Sequence, residues 1–279
     1  MLNEFNTSTF DIIANMYGAP SDIDQDNKVI FLFTHLVDQV GGVAGFYSSG
    51  SLFSKDRGGD GNIADMMFIS PTRESASYKS LLAHEFQHLV NFNQHVLVAN
   101  GDAEETWLNE GLSHVAEDLV DGHIDGGNTD LVSDFMSAPN RYALTGDASL
   151  NSGIRGAAYL FVRGLMESFG SDVPGRLVKT NKVNIANVEN LSGQSFDDAY
   201  RTFTSRLFLS GNNLNTQAAL NYSFKYFTEP QTNQRSLPVP TEQKIDAQTT
   251  SVSGTVRPAA STFIRLTGTG SQNIQIQTD

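Results

Sequence analysis

The sequence predicts an α+β protein with a strand-rich start, a mainly helical middle and a few short strands at the C-terminal end. Three observations carry this. Lys28 to Val37 is β-branched and aromatic, bounded by an acidic turn. Four stretches between residues 73 and 210 place apolar side chains at helical spacing. Beyond Thr228 the chain turns polar and proline-containing before a last β-like run.

The elements follow in order. Lys28–Val37 is the first expected strand. Ala64–Ser70 is the second, following a Gly/Asp-rich loop and stopped by Pro71. Ser75 or Ser77 can cap a helix through LLAHEFQHLVNF, with Leu82, Phe86 and Leu89 or Val90 on one face. Thr106–Val120 repeats the pattern with Leu108, Leu112, Val115, Ala116 and Leu119. A third helix covers Gly153–Phe169, ended by Gly170. A fourth follows the N-cap Ser195 to Leu209. The expected organisation is one main domain over 1–228 (strand-rich 1–72, helical 73–228). A linker over 229–254 follows, then a short β segment over 255–279 that is either packed on the main body or the start of a β module.

Composition narrows the partners. The chain of 279 residues carries 31 Asp and Glu against 18 Lys and Arg, a net charge of -13. Such a surface repels phosphate backbones and anionic lipid, so neither nucleic acid nor a membrane surface is an expected partner. There are no cysteines, which rules out disulfides, a thiolate nucleophile and Cys-ligated zinc. No apolar stretch has the length of a membrane span. Residues 1–20 lack the pattern of a signal peptide, so an exported protein has already lost it. A cysteine-free chain suits a bacterial secreted protein and many cytosolic ones alike; a secreted location is the expectation.

The chemistry lies in His84-Glu85-Phe86-Gln87-His88. Residues i and i+4 of a helix share a face, so the imidazoles of His84 and His88 can converge on one metal ion. Glu85 reaches the same side and is placed to act on a water there. This is the HExxH arrangement of two zinc ligands and a general base. A catalytic zinc needs a third protein ligand and an open fourth position. Downstream candidates are His95, His114, His123 and several carboxylates. The absence of a HExxHxxGxxH continuation removes the three-histidine class. Glu110 is the best candidate. It stands 21 residues beyond the motif, room for a loop and a returning helix, and off the apolar stripe of its own helix.

HExxH followed by Trp107-Leu108-Asn109-Glu110-Gly111 resembles the gluzincin metallopeptidases. The stretches AHEFQHLVNFNQH, ETWLNEGLSHVAEDL and AAYLFVRGLMESFG resemble the hyicolysin-type neutral metallopeptidases of bacteria, over roughly residues 20–210. The resemblance implies a zincin-like fold, with an N-terminal mixed sheet above the active-site helix and a helical lobe after it. It implies that His84, His88 and Glu110 ligate Zn2+ and that Glu85 is the base. Gluzincins commonly take an oxyanion donor from a later helix. Tyr159 fits that place, with Tyr142 and His123 as rivals and a core aromatic as the plain reading. His114 and Glu117, at i+4 and i+7 from Glu110, are either partners of the zinc ligands or a solvated face.

The expected activity is a zinc metalloendopeptidase. Zincins bind substrate along a sheet edge, so by the resemblance Ala64–Ser70 pairs with an extended peptide. Gluzincin aminopeptidases hold the substrate amine with a Glu on that strand. Here Gly61–Phe68 offers only Asp65, which favours endopeptidase over aminopeptidase. The other alternative is a non-catalytic zinc-binding surface module. Asp22, Asp24 and Asp26 alternate like a calcium loop, but Asn27 and Phe33 stand where an EF-hand needs Gly and Glu. A turn is the plainer reading there. Asp56, Asp60 and Asp65 with Asn62 form a second candidate for structural Ca2+. His35 and His95 are expected to be structural or surface residues.

Overall fold

The computed structural model describes residues 2–73, 77–121, 128–211, 239–246 and 251–268. The chain opens on α1 (Leu2–Glu4), a π-helical turn (Phe5–Thr9) and α2 (Phe10–Tyr17). Strand β1 (Ile30–Phe33), helix α3 (Leu36–Val40), strand β2 (Gly45–Tyr47) and strand β3 (Met66–Ile69) follow. The helical part comprises α4 (Ser77–Phe92), α5 (Thr106–Asp121), α6 (Asn128–Ser137), α7 (Ser152–Phe169), α8 (Val173–Val178), α9 (Asn184–Ser192) and α10 (Phe196–Gly211). Strands β4 (Glu242–Ile245) and β5 (Phe263–Leu266) close the described chain. The class is α+β, with mostly helices and a small sheet.

The first 72 residues are less strand-rich than expected. Phe5, Thr9, Ile13 and Tyr17 recur at intervals of four, and all are buried. That stripe drives the N-terminal helical run. The polar segment Asn6 to Ser8 within it obscures the period, and tertiary packing overrides its poor helix propensity. Phe5 meets Phe31 and Phe86 at 4.7 and 5.2 Å between ring centroids, and Phe10 stacks on Phe86. The first expected strand is also shorter than the apolar run: its second half turns into α3.

Sheet order corrects a functional expectation. The order is β1-β3-β2, with β1 parallel and β2 antiparallel to β3. Ala64–Ser70 therefore contains the central strand, flanked on both sides, and cannot be the free edge that receives a peptide. The edge beyond β3 is β2. Its three-residue length and glycine-rich surroundings give almost no periodicity to read. The sheet covers α4, with Met67 and Ile69 of β3 in one core with Leu82 and Phe86.

The helices α4, α5, α7 and α6 pack in sequence, each against the next. Two glycines set the spacing. A Cβ on Gly111 would lie 2.8 Å from the Ala158 carbonyl oxygen of α7. A Cβ on Gly156 would lie 2.1 Å from the Leu131 carbonyl oxygen of α6. Only a residue without a side chain lets these backbones approach so closely.

The segment expected as a linker contains β4, which pairs in parallel with β5. The pair is tied to the main body. Thr241 N–H donates to the Met136 carbonyl, and Leu144 N–H to that of Ala259, each at 2.8 Å. Phe263 stacks on Phe208 of α10. Residues 74–76, 122–127 and 269–279, with candidate cap Ser75 and candidate ligand His123, lie outside the described residues.

Gly111→Ala is expected to destabilise the fold by about 1–3 kcal/mol, as overpacking of a tight interface does. Chemical denaturation of the purified variant measures it. Wild-type stability would mean that α5 and α7 have slack the contact distances deny.

Candidate metal centre

α4 is amphipathic in an unusual sense. Leu82, Ala83, Phe86, Leu89 and Val90 are almost fully buried against the sheet and α2. The opposite face is also largely covered, because α5 lies across it. That face carries His84, Glu85 and His88. The chain returns through a π-helical turn (Asn93–Val98), Asn100 at φ 53° and Gly101. A buried knot fixes the return. Glu104 accepts from the Glu105 and Asn184 N–H groups and from Asn187 Nδ2, and Trp107 Nε1 donates to Asn184 Oδ1. His95 is wholly buried beside Glu104, in a structural place.

α5 then presents Glu110, His114 and Glu117 along one stripe toward α4. Glu110 is off the apolar stripe, as expected, yet only 9% exposed, because α4 and α7 enclose it. Its Oε2 lies 3.3 Å from His84 Nε2, and its Oε1 lies 3.7 Å from His88 Nε2. The two rings meet edge to face at 4.8 Å. His84, His88 and Glu110 thus form one group able to hold a metal ion.

The far nitrogens of both rings are engaged. His84 Nδ1 pairs with Glu117 Oε1 at 2.7 Å. His88 Nδ1 pairs with Asn109 Oδ1 at 3.0 Å, and Asn109 Oδ1 also accepts from Asn91 Nδ2. With Nδ1–H donating in each case, both Nε2 atoms face Glu110, and they would serve as metal ligands once His84 gives up its Nε2 proton as the cation enters. Glu117 also pairs with His114 Nδ1 at 2.9 Å. Of the two readings of His114 and Glu117, the partnered one describes the geometry. Sequence reasoning did not single out Asn109. Its signal is adjacency to Glu110 on a helix that faces His88.

The donor set fits zinc. A tetrahedral zinc with bonds of about 2.0–2.1 Å sets its ligand atoms roughly 3.3 Å apart. The His84–Glu110 separation matches that edge. Glu110 Oε2 is buried without a hydrogen-bond partner, an acceptor left for a cation. Charge tells the same story. Burial opposes a charge on His84, but Glu110 and Glu117 outweigh it and lift its pKa to about 10. Burial would raise Glu117 too, yet the imidazoles of His114 and His84 draw it down to about 2. Two buried carboxylates around His84 demand a positive charge between them. His88, without such compensation, is pushed down to about 4, mainly by burial.

Glu85 stands beside this group and is 5% exposed. Burial raises its pKa to about 7, only partly offset by His84, Arg155 and the Tyr47 backbone N–H. A carboxyl poised near neutrality can both take and return a proton. The influence of Tyr47 also places β2, not β3, beside Glu85.

Tyr159 does not take the expected place. Its ring is 1% exposed in the α5–α7 interface, and its hydroxyl donates to Asp118 Oδ2 at 2.5 Å. Burying Asp118 created a need for donors, and the hydroxyl meets it. Tyr142 lays its ring over Gly153 at the start of α7. What α7 does send toward the ligands is Arg155, whose Nη2 lies 3.2 Å from Glu110 Oε1. Sequence reasoning did not single it out either.

The candidate calcium residues regroup. Asp22 and Asp24 approach Asp65, the three offering oxygens within 4.8 Å of one another. Asp65 is also bound by Ser21 Oγ and the Ile23 N–H. Asp26 instead pairs with Lys28. Asp60 accepts from Ser48. His35 is a surface residue paired with Asp38.

No protein-family model matches the chain. The chain is 28% identical over 128 residues to "Neutral metalloprotease ShpI" of Staphylococcus hyicus, a match covering 42% of this chain and 29% of that protein. The aligned part thus spans less than a third of the relative's length. The likeness supports a metalloprotease relationship. No helix among the described residues is long and apolar enough to cross a membrane.

Two stability outcomes follow from Asp118, whose carboxyl burial raises to about 7 against the help of Arg163 and Tyr159. Tyr159→Phe is expected to cost about 1–3 kcal/mol, because it strips a donor from a buried carboxylate. Its metal affinity should match wild type. The folded pKa lies above the unfolded value of 3.8, so protonation favours the folded state. The stability of wild type relative to Asp118→Asn should therefore fall as pH rises from about 4 to about 7. Denaturation of both proteins across that range checks the slope, and a flat difference would contradict it.

Proposed function

We propose that the protein is a secreted zinc-dependent metalloendopeptidase of the gluzincin type with a zincin-like fold. The observation that carries the reading is the convergence of His84, His88 and Glu110 with Glu85 beside them. The partial likeness to a metalloprotease points the same way.

His84, His88 and Glu110 would hold the zinc. Bound there, it supplies Lewis acidity toward a water molecule and a peptide carbonyl. Glu85 takes a proton from the attacking water and later gives it to the leaving amine nitrogen. Burial around Glu85 raises its proton affinity. Glu117 and Asn109 keep the imidazoles oriented while charge shifts around them. An extended peptide pairs with the outer edge of β2, which among the described residues pairs with β3 alone.

The edge strand also bears on the type of peptidase. Gly45–Tyr47 carries no carboxylate to hold a substrate's free amine, and Asp65 is committed to Ser21 and Ile23. That favours internal cleavage over aminopeptidase action. A non-catalytic zinc module has no use for a carboxylate, Glu85, buried beside the ligand set.

The purified protein is expected to hold about one zinc and to cleave casein until a chelator removes the metal. Glu85→Gln should keep its zinc and lose activity by ~10²–10⁴. Glu110→Ala should lose both. Near-normal cleavage by Glu85→Gln would refute the mechanism, and full zinc retention by an active Glu110→Ala would mean another third ligand.

A further inference from the structure

The helix after the metal centre sends a cation, not a phenol, toward the ligands. Arg155 sits in the first turns of α7, and its own preceding loop holds the side chain. Nε donates to the Ala148 carbonyl at 2.8 Å and Nη2 to the Ser149 carbonyl at 2.6 Å. Nη2 also faces Glu110 Oε1 at 3.2 Å. A guanidinium has five N–H donors in a rigid plane. Two are given to the Ala148 and Ser149 carbonyls, and Nη2 pairs with Glu110 by charge. The two on Nη1 have no partner among the described residues.

Exposure places the free end. The Arg155 side chain is 24% exposed and that of Glu110 is 11% exposed. The guanidinium thus reaches solvent from beside the ligand carboxylate. Its charge is felt by Glu85 and His88 as well as by Glu110. It stands against one ligand, Glu110, on the same side as the base and the second imidazole whose charge it influences.

Other donors are worse placed. Tyr159 is committed to Asp118. His114 Nε2 is buried and unpartnered, 3.9 Å from Glu110 Oε2 and closed off from solvent. The Tyr47 hydroxyl is buried and unpartnered as well.

We infer that Arg155 is a catalytic residue, its Nη1 donating to the oxygen of the scissile carbonyl as that oxygen gains negative charge. The inference rests on the peptidase reading above. Glu110 and the Ala148 and Ser149 carbonyls hold the guanidinium plane in place beforehand, so no reorganisation is needed when charge develops. Arg155 stays protonated throughout. Water oxygen bonds to the carbonyl carbon, the carbon–nitrogen bond breaks, and the proton passes through Glu85 to the amine.

The test uses zinc-loaded full-length wild type, Arg155→Lys, Arg155→Met and Tyr142→Phe. The substrate is a quenched fluorescent peptide built on a casein bond that wild type cleaves, and the second probe is a phosphinic analogue of that bond. Arg155→Met should lose ~10²-fold or more in kcat/KM at full zinc occupancy. Arg155→Lys should fall between, and added guanidinium should restore part of the Arg155→Met activity. Across the series the phosphinic analogue should weaken in step with kcat/KM, a correlation that a merely structural role does not produce. If Arg155→Met binds zinc less tightly, by competition with a chromophoric chelator, yet cleaves normally at saturating zinc, Arg155 only positions Glu110 and the assignment is overturned. A silent Arg155→Met beside a crippled Tyr142→Phe overturns it too. A zinc-loaded wild type that cleaves no casein bond overturns the peptidase reading itself, and this inference with it.

Discussion

Much of this structure is arranged around one buried carboxylate. Glu110 is enclosed by α4, α5 and α7, and an unpaired carboxylate there would cost several kcal/mol. Its neighbours answer that cost from two sides. His84 and His88 approach from α4, and Arg155 approaches from α7. One oxygen is held by the arginine and the other is left without a hydrogen bond. The asymmetry matters, because it offers one defined lone pair to a cation between the imidazoles. Gly111, the next residue, lets α5 come close enough to α7 for the arginine to reach.

The same logic repeats one level out. Glu117 is buried behind His84 and fixes that ring through Nδ1. Asn109 does the same for His88 without bringing a third charge into the group. Burial opposes a charge on both imidazoles; Glu110 and then Glu117 overcome it at His84, while at His88 burial and the neighbouring His84 prevail, so the two shift in opposite directions. The knot around Glu104 holds the chain between the two helices, so the register of α5 against α4 follows from buried hydrogen bonds as well as from apolar contact.

How much of this was legible depends on distance along the chain. His84, Glu85 and His88 lie within one turn and a half of helix, so spacing alone put them on one face. Thr106–Asp121 was legible as a helix for the same reason. The pairing of Glu110 with that face drew on a loop length and a resemblance, not on periodicity. β2 could not be read, because three residues beside glycines have no period, and so the strand expected at the sheet edge lies at its centre. The N-terminal helix has a period of four in Phe5, Thr9, Ile13 and Tyr17, but the polar residues Asn6 to Ser8 within it hid it. Tyr159 lies on the expected helix with its hydroxyl on Asp118, a direction a sequence does not show.

The roles of Tyr159 and Arg155 had a signal after all. α7 carries two arginines, Arg155 and Arg163, eight residues apart. α5 carries three buried carboxylates, and two of them, Glu110 and Asp118, are also eight apart. Eight residues is slightly over two turns, so each pair keeps nearly one face of its helix. In the fold the first arginine meets the first carboxylate and the second meets the second. Equal strides of opposite charge on two helices specify both that they pack and in which register. Tyr159 lies midway between the arginines and shares the second carboxylate with Arg163. The second pair, deeper in the interface, anchors the helix. The first pair opens toward solvent, and that leaves Arg155 the donors to spare.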